Sequence, residues 1–281
     1  MSGASDLRAA VEALRAAGFR PTKTRGQNFL VDSNVLAAIV RDAGVQPGDR
    51  VIEVGVGLGF LTGALLAAGA TVTGLEIDPE LAALARAGHA AGAEVLVGDA
   101  LSSKNRLGPE LASALSAEPW HLVANLPYSI SGPLLVLLAR SASPPVSMTV
   151  LVQRELAERV AAPPAAPDRG PLGVRLQLDH TVRLGRAVPP TVFWPRPRVE
   201  SAVVHLERHR RLPPAEVEAF DRLVGALFQS RRKALRAALV PLAGGGAAAD
   251  ALLLRAGLEP RRRAEELTGA ELEALARAVS P

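Results

Sequence analysis

The chain contains no cysteine, and its only aromatics are six phenylalanines, two tryptophans and a single tyrosine in 281 residues. The first absence removes disulfides, thiolate zinc sites and cysteine nucleophiles from consideration. It is also compatible with a reducing cytoplasm, where the protein is expected to work. The second makes the placement of Tyr128 informative. A third shortage is of uninterrupted apolar runs. Val54 to Leu75 carries no charge over 22 positions, close to the length of a bilayer crossing, but six glycines punctuate it. Its pattern reads as strand, loop, helix and strand, so no membrane span is expected. The N-terminus has no basic segment followed by an apolar run, and no secretion signal is expected. It reads as an amphipathic helix with Ser5 as cap and Leu7, Val11 and Leu14 on one face.

What is present is a chain that is 48% apolar, enough for one large domain or two smaller ones with a proper core. The net charge is only +4, but the cations cluster. Arg20, Lys23 and Arg25 occur without an acid. Residues 183–211 hold seven arginines, Arg196 and Arg198 among them, against Glu200 and Glu207. "RRKALR" adds Arg231, Arg232, Lys233 and Arg236. Such clusters suit a polyanionic partner, although any one of them also fits a solvated face.

The order of elements argues for an α/β protein. A helix is expected from about Ser33 to Ala43. The segment "DRVIEVGVGLGFLTGALLAAGATVTGLEID" then alternates strand, glycine loop, helix and strand, which is the βαβ pattern of a parallel sheet. Further strands are expected at 94–97, 120–124, 147–152, 182–188 and 201–206. Residues 161–171 read as an exposed proline-rich loop, and after residue 208 only helical patterns remain. The expected division is residues 1–208 for the α/β domain and 209–281 for a helical one.

"EVGVGLG" lies where a strand turns into a helix, so its main-chain amides can approach a ligand. A dinucleotide site would want a glycine at position 60, which is Phe60, and the glycines fall instead at 55, 57 and 59. Glu76, at the end of the next strand, can accept hydrogen bonds from both hydroxyls of a ribose. Asp99, after a third strand, can take the exocyclic amine of an adenine. "NLPY" follows a fourth strand. There the Asn125 side-chain carbonyl and the Leu126 main-chain carbonyl can hold an amino group in line for alkylation. Pro127 stiffens the turn, and Tyr128 offers a flat face for a splayed-out base.

The G-x-G-x-G spacing resembles that of S-adenosylmethionine-dependent methyltransferases, and "NLPY" resembles the tetrapeptide of the amino-methylating nucleic-acid enzymes. "GQNFL", "EVGVGLGFLT", "EID", "GDAL", "NLPYSIS", "LVQRELAERV", "VFWPRPRVESAVV" and "FQSRRKALRAAL" resemble, in that order, the ribosomal RNA adenine-N6 dimethyltransferases. The resemblance implies a Rossmann-like methyltransferase sheet with a smaller all-helical C-terminal domain for RNA recognition. Its cofactor would be S-adenosyl-L-methionine, held by Gln27, Asn28, Leu30, Gly55, Gly57, Glu76, Ile77, Asp99, Ala100 and Asn125. Asn125, Leu126, Pro127 and Tyr128 would act on the target base, with Phe193 opposite Tyr128. The activity implied is dimethylation of two adjacent adenosines near the 3′ end of 16S rRNA in an immature small ribosomal subunit, by a monomer that uses no metal. The alternatives are a 23S rRNA dimethyltransferase and a non-catalytic assembly factor on the same scaffold. An NAD-dependent oxidoreductase is disfavoured by Phe60. The chain departs from the family pattern at Leu172, where tyrosine is usual, and at Ala237, where asparagine is common.

Overall fold

The computed structural model describes residues 27–115, 119–210, 213–229 and 233–279, together with residues 7, 9, 11, 12, 15 and 16. The chain divides into two compact units, residues 1–157 with 183–207, and residues 158–182 with 208–281.

The first unit is built on a seven-stranded sheet. We label its strands β1 (Arg50–Val54), β2 (Thr71–Glu76), β3 (Glu94–Val97), β4 (His121–Asn125), β5 (Ser147–Gln153), β6 (His180–Val188) and β7 (Ser201–Arg208). Their order is β3-β2-β1-β4-β5-β7-β6. Strands β1 to β5 pair in parallel. β7 runs antiparallel to β5, with Ser201 opposite Gln153. Val51, Ile52 and Leu122 are almost fully buried, as expected of a sheet covered on both faces. The order reverses between β1 and β4, and such a switch point opens a crevice at the carboxyl ends of the strands. Glu76 and Asn125 are the last residues of β2 and β4, and Gly55 and Asp99 lie just beyond β1 and β3.

The charge-free stretch from Val54 forms the strand end, the glycine loop, the helix Phe60–Ala67 and β2. The helix Ser33–Ala43 begins at Asp32, whose side chain caps the amides of Asn34 and Val35, and it ends at Gly44 in the left-handed region. Leu7 and Val11 are helical and buried in the same core as Ile39 and Leu65. Ser5 and Leu14 lie outside the described residues.

The second unit is helical. Pro214–Gln229, Leu235–Ala243, Gly246–Ala256 and Gly269–Val279 bury Leu223, Leu227, Leu239, Leu253 and Leu275 in one core. Thr268 and Glu271 cap the last helix reciprocally, main-chain amide to side-chain oxygen in both directions. The sequence expectation of a boundary at residue 208 is corrected here, because residues 158–182 belong with these helices. Val174 and Leu178 enter their core. Arg169, only 2% exposed, donates to the carbonyls of Ala162 and Leu267 and to Gln177 Oε1. The proline-rich loop is therefore exposed at residues 163–165, 167 and 168 but clamped at Ala162 and Arg169. The Ala165 amide adds a bond to the carbonyl of Glu265.

Candidate active site

A cavity of about 250 Å³ opens at the switch point of the first unit. The glycine loop forms its floor. Gly55 and Gly57 both have positive φ, at 85° and 56°. A Cβ on Gly57 would meet the Phe29 ring at 2.9 Å, and one on Gly55 would press on Pro127 at 3.3 Å. Glycine at these two positions lets the loop, the "GQNFL" segment and the "NLPY" turn converge on one space.

Glu76 ties that convergence together. Its Oε2 accepts the Gly57 amide at 2.7 Å and its Oε1 accepts the Asp78 amide at 3.0 Å. Each oxygen retains a second lone pair, so the carboxylate can hold the loop and still accept a ribose hydroxyl. Burial pushes its pKa up, and the two amides oppose the shift. Asp78 caps the helix Pro79–Ala87 through Oδ1 and accepts Gln27 Nε2 on Oδ2 at 3.4 Å, bringing Gln27 to the rim.

Asp99 is exposed; its Oδ1 accepts the Leu101 amide, which leaves Oδ2 for an exocyclic amine. Asn125 donates its amide nitrogen to the Asn28 carbonyl at 3.0 Å, leaving Oδ1 as the acceptor. The turn after it is pinned on three sides. The Leu126 amide bonds the Leu151 carbonyl, the Pro127 carbonyl accepts Ser131 Oγ, and the Tyr128 hydroxyl meets Ser201 Oγ at 2.7 Å.

Gln27, Asn28, Leu30, Gly55, Gly57, Glu76, Ile77, Asp99, Ala100 and Asn125 all line this cavity, as do Leu126, Pro127 and Tyr128. Phe193 does not. It is 4% exposed and pairs with Leu30 in a two-stranded ribbon, Phe29–Leu30 against Phe193–Trp194. Trp194 stacks on Phe29 with ring centroids 5.8 Å apart. The expectation that Phe193 faces Tyr128 across a base is thus corrected to a core residue that anchors the segment carrying Asn28. Phe60, where a dinucleotide loop would have glycine, is buried against the His89 ring edge.

The acid among the lining residues that the sequence reading passed over is Glu53. In the middle of the apolar strand β1, it is 1% exposed and lines the cavity. Its Oε2 accepts Thr62 Oγ1 at 2.5 Å. Burial pushes its pKa up to about 8, with the Glu76 charge adding to the rise and the Thr62 bond opposing it. An acid between Ile52 and Val54 was the available signal.

The donor set fits a nucleoside joined to a charged amino-acid group: a carboxylate for ribose hydroxyls, an exposed carboxylate for the base amine, and a glycine cradle beside two acids. Residues 18–276 match the family described as ribosomal RNA adenine dimethylase. The chain belongs to the ribosomal RNA adenine dimethylase family. It is 43% identical over 282 residues to the ribosomal RNA small subunit methyltransferase A of Cutibacterium acnes, covering 93% of this chain and 91% of that one. Among solved structures, a dimethyladenosine transferase from Plasmodium falciparum superposes with a TM-score of 0.71 at 22% identity, over 86% of this chain and 94% of that one. The 23S rRNA methyltransferase ErmE gives 0.65 at 24% identity, over 90% of this chain and all of that one. These last two likenesses show the Rossmann-like methyltransferase fold.

Within this dimethylase fold the basic residues fare unequally. Arg196 and Arg198 are exposed and carry no ion pair among the described residues, and the same holds for Lys233. Arg236 is exposed but held bidentately by Asp250, at 2.7 and 3.0 Å. "RRKALR" is not one basic helix, because the helix begins only at Leu235. Arg20, Lys23, Arg25, Arg231 and Arg232 lie outside the described residues. Leu172 opens a loop-to-helix junction already anchored by Arg169, and Ala237 is exposed.

Proposed function

We infer that the protein dimethylates N6 of two adjacent adenosines near the 3′ end of 16S rRNA, with S-adenosyl-L-methionine as cofactor. The observation that carries this reading is the oriented Asn125 amide, locked to Asn28 in the same cavity that Glu76 and the glycine loop enclose. The relative named for the small subunit, at 43% identity along nearly the whole chain, favours this substrate over 23S rRNA. An intact Asn125–Tyr128 turn argues against a non-catalytic scaffold.

In this reading Glu76 and Asp99 hold the nucleoside of the cofactor, while Gln27, Asn28, Leu30 and Gly55 enclose its amino-acid end. The cofactor supplies an electrophilic methyl group. Asn125 Oδ1 and the Leu126 carbonyl accept the two N6 hydrogens of the adenine. They bias the nitrogen towards tetrahedral geometry, and their attraction grows as N6 gains positive charge. Tyr128 stacks on the base. No residue need act as general base, since the alkylated amine sheds its proton to water. The protein acts as a cytoplasmic monomer on an immature small subunit, and its helical C-terminal unit contributes to RNA recognition together with Arg196, Arg198 and Lys233.

The test is to offer labelled cofactor with small-subunit and large-subunit particles from a methylation-deficient strain. Label should enter the small-subunit RNA alone. Label in the large-subunit RNA would overturn the assignment.

A further inference from the structure

Ser201 is the first residue of β7 and is completely buried. Among the described residues its hydroxyl has a single hydrogen-bond partner, the Tyr128 hydroxyl at 2.7 Å. Tyr128 is half-buried, lines the cavity and sits in a turn whose main chain is already fixed at Leu126 and Pro127. Such a ring retains two torsions of its own, and rotation about the first would shift the whole ring away from where it meets a base. A bond at the far end of the ring restrains the first of these torsions, because swinging the ring about it would carry the hydroxyl away from its partner. Ser201 is itself immovable, because its strand is registered against β5 from Ser201↔Gln153 to Glu207↔Ser147.

We propose that Ser201 is a positioning residue that fixes where the Tyr128 ring lies by holding its hydroxyl, and so places the platform for the target adenine. The proposal rests on the functional reading above and adds a residue to it. The two hydroxyls are not equivalent. Ser201 is completely buried, so removing the tyrosine hydroxyl strands a buried polar group, whereas Tyr128 itself is only half-buried. Burial pushes the Tyr128 pKa up, and the Ser201 bond works in the opposite sense.

Tyr128 is the only tyrosine in the chain, so protein grown on [13Cζ]tyrosine gives one resonance that reports its hydroxyl bond without cofactor or RNA. Three variants decide the matter: Ser201→Ala, Tyr128→Phe and the double variant. If the proposal holds, Ser201→Ala moves the resonance and leaves cofactor affinity by calorimetry unchanged. It lowers the methylation rate roughly 2- to 10-fold, the worth of one neutral hydrogen bond. It should have no further effect on rate in the Tyr128→Phe background. An unmoved resonance, a wild-type rate in Ser201→Ala, or full additivity in the double variant each overturns it. If Ser201→Ala fails to fold, Ser201→Cys keeps the volume while weakening the bond and is read by the same criteria. A wild-type protein that labels no RNA sinks the functional reading. One that labels RNA normally while Ser201→Ala matches it sinks only the role of Ser201.

Discussion

Asn125 and Asn28, 97 residues apart, are joined by a hydrogen bond from the side-chain amide of the first to the main-chain carbonyl of the second. The bond fixes which end of the amide is free and fastens the segment Gln27–Leu30 over the cavity. Asn125→Ala removes a positioned acceptor and this fastening together. Turnover in a single-turnover assay should fall on the order of 100- to 1000-fold. RNA affinity by filter binding should change far less. Equal losses in both would mean that Asn125 merely supports the fold of the site.

Glu76 serves the loop and, in the proposed function, the cofactor. Glu76→Ala should weaken cofactor binding in a calorimetric titration by about 1.5 to 3 kcal/mol, the range for hydrogen bonds to a charged group. The stranded Gly57 and Asp78 amides add to the loss, so the upper half of that range is expected. Unchanged affinity would show that the ribose is held elsewhere.

The buried acid Glu53 makes stability depend on pH. Its pKa rises from 4.5 when unfolded to about 8 when folded, so between these values the native state holds a proton that the unfolded chain releases. The stabilisation is complete below about pH 4.5 and is lost as the pH climbs through about 8. Denaturant unfolding of the cofactor-free protein across this window should show the decline, and Glu53→Gln should flatten it. A Glu53→Gln profile as steep as wild type would place the titrating group elsewhere.

Arg196 and Arg198, exposed and without an ion pair among the described residues, should meet phosphate. Each neutralised phosphate contributes roughly 0.7 to 0.9 to the slope of log affinity against log salt. Replacing both with glutamine should reduce that slope by about 1 to 2 while leaving cofactor affinity unchanged. Arg236→Gln should do less, because Asp250 already satisfies that guanidinium. A slope that ignores Arg196 and Arg198 would reassign them to a solvated face.

Much of the fold was legible because its signals are local. The run from Arg50 to Asp78 spells out strand, loop, helix and strand within one window, and the glycine spacing locates the cavity floor. Glu76, Asp99 and Asn125 were legible because each stands at or just past the end of a strand. Contacts between distant segments were not. Nothing near Phe193 signals that it pairs with Leu30, since the two lie in separate parts of the chain and meet only through a short ribbon. The same is true of Ser201 beneath Tyr128. The domain boundary was misplaced because Arg169, a charged residue in a proline-rich loop, reads as solvent-facing, yet the carbonyls of Ala162 and Leu267 draw it into the helical unit. Arg236 read as a free cation because its partner Asp250 lies on the next helix.

The most direct test of the central claim is mass spectrometry of the 3′ fragment of 16S rRNA after small-subunit particles from a methylation-deficient strain are incubated with the protein and S-adenosyl-L-methionine. The account predicts N6,N6-dimethyladenosine at two neighbouring positions with the wild-type protein and unmodified adenosines with Asn125→Ala. Unmodified adenosines with a wild-type protein that binds the cofactor, or the modification appearing in 23S rRNA instead, would contradict it.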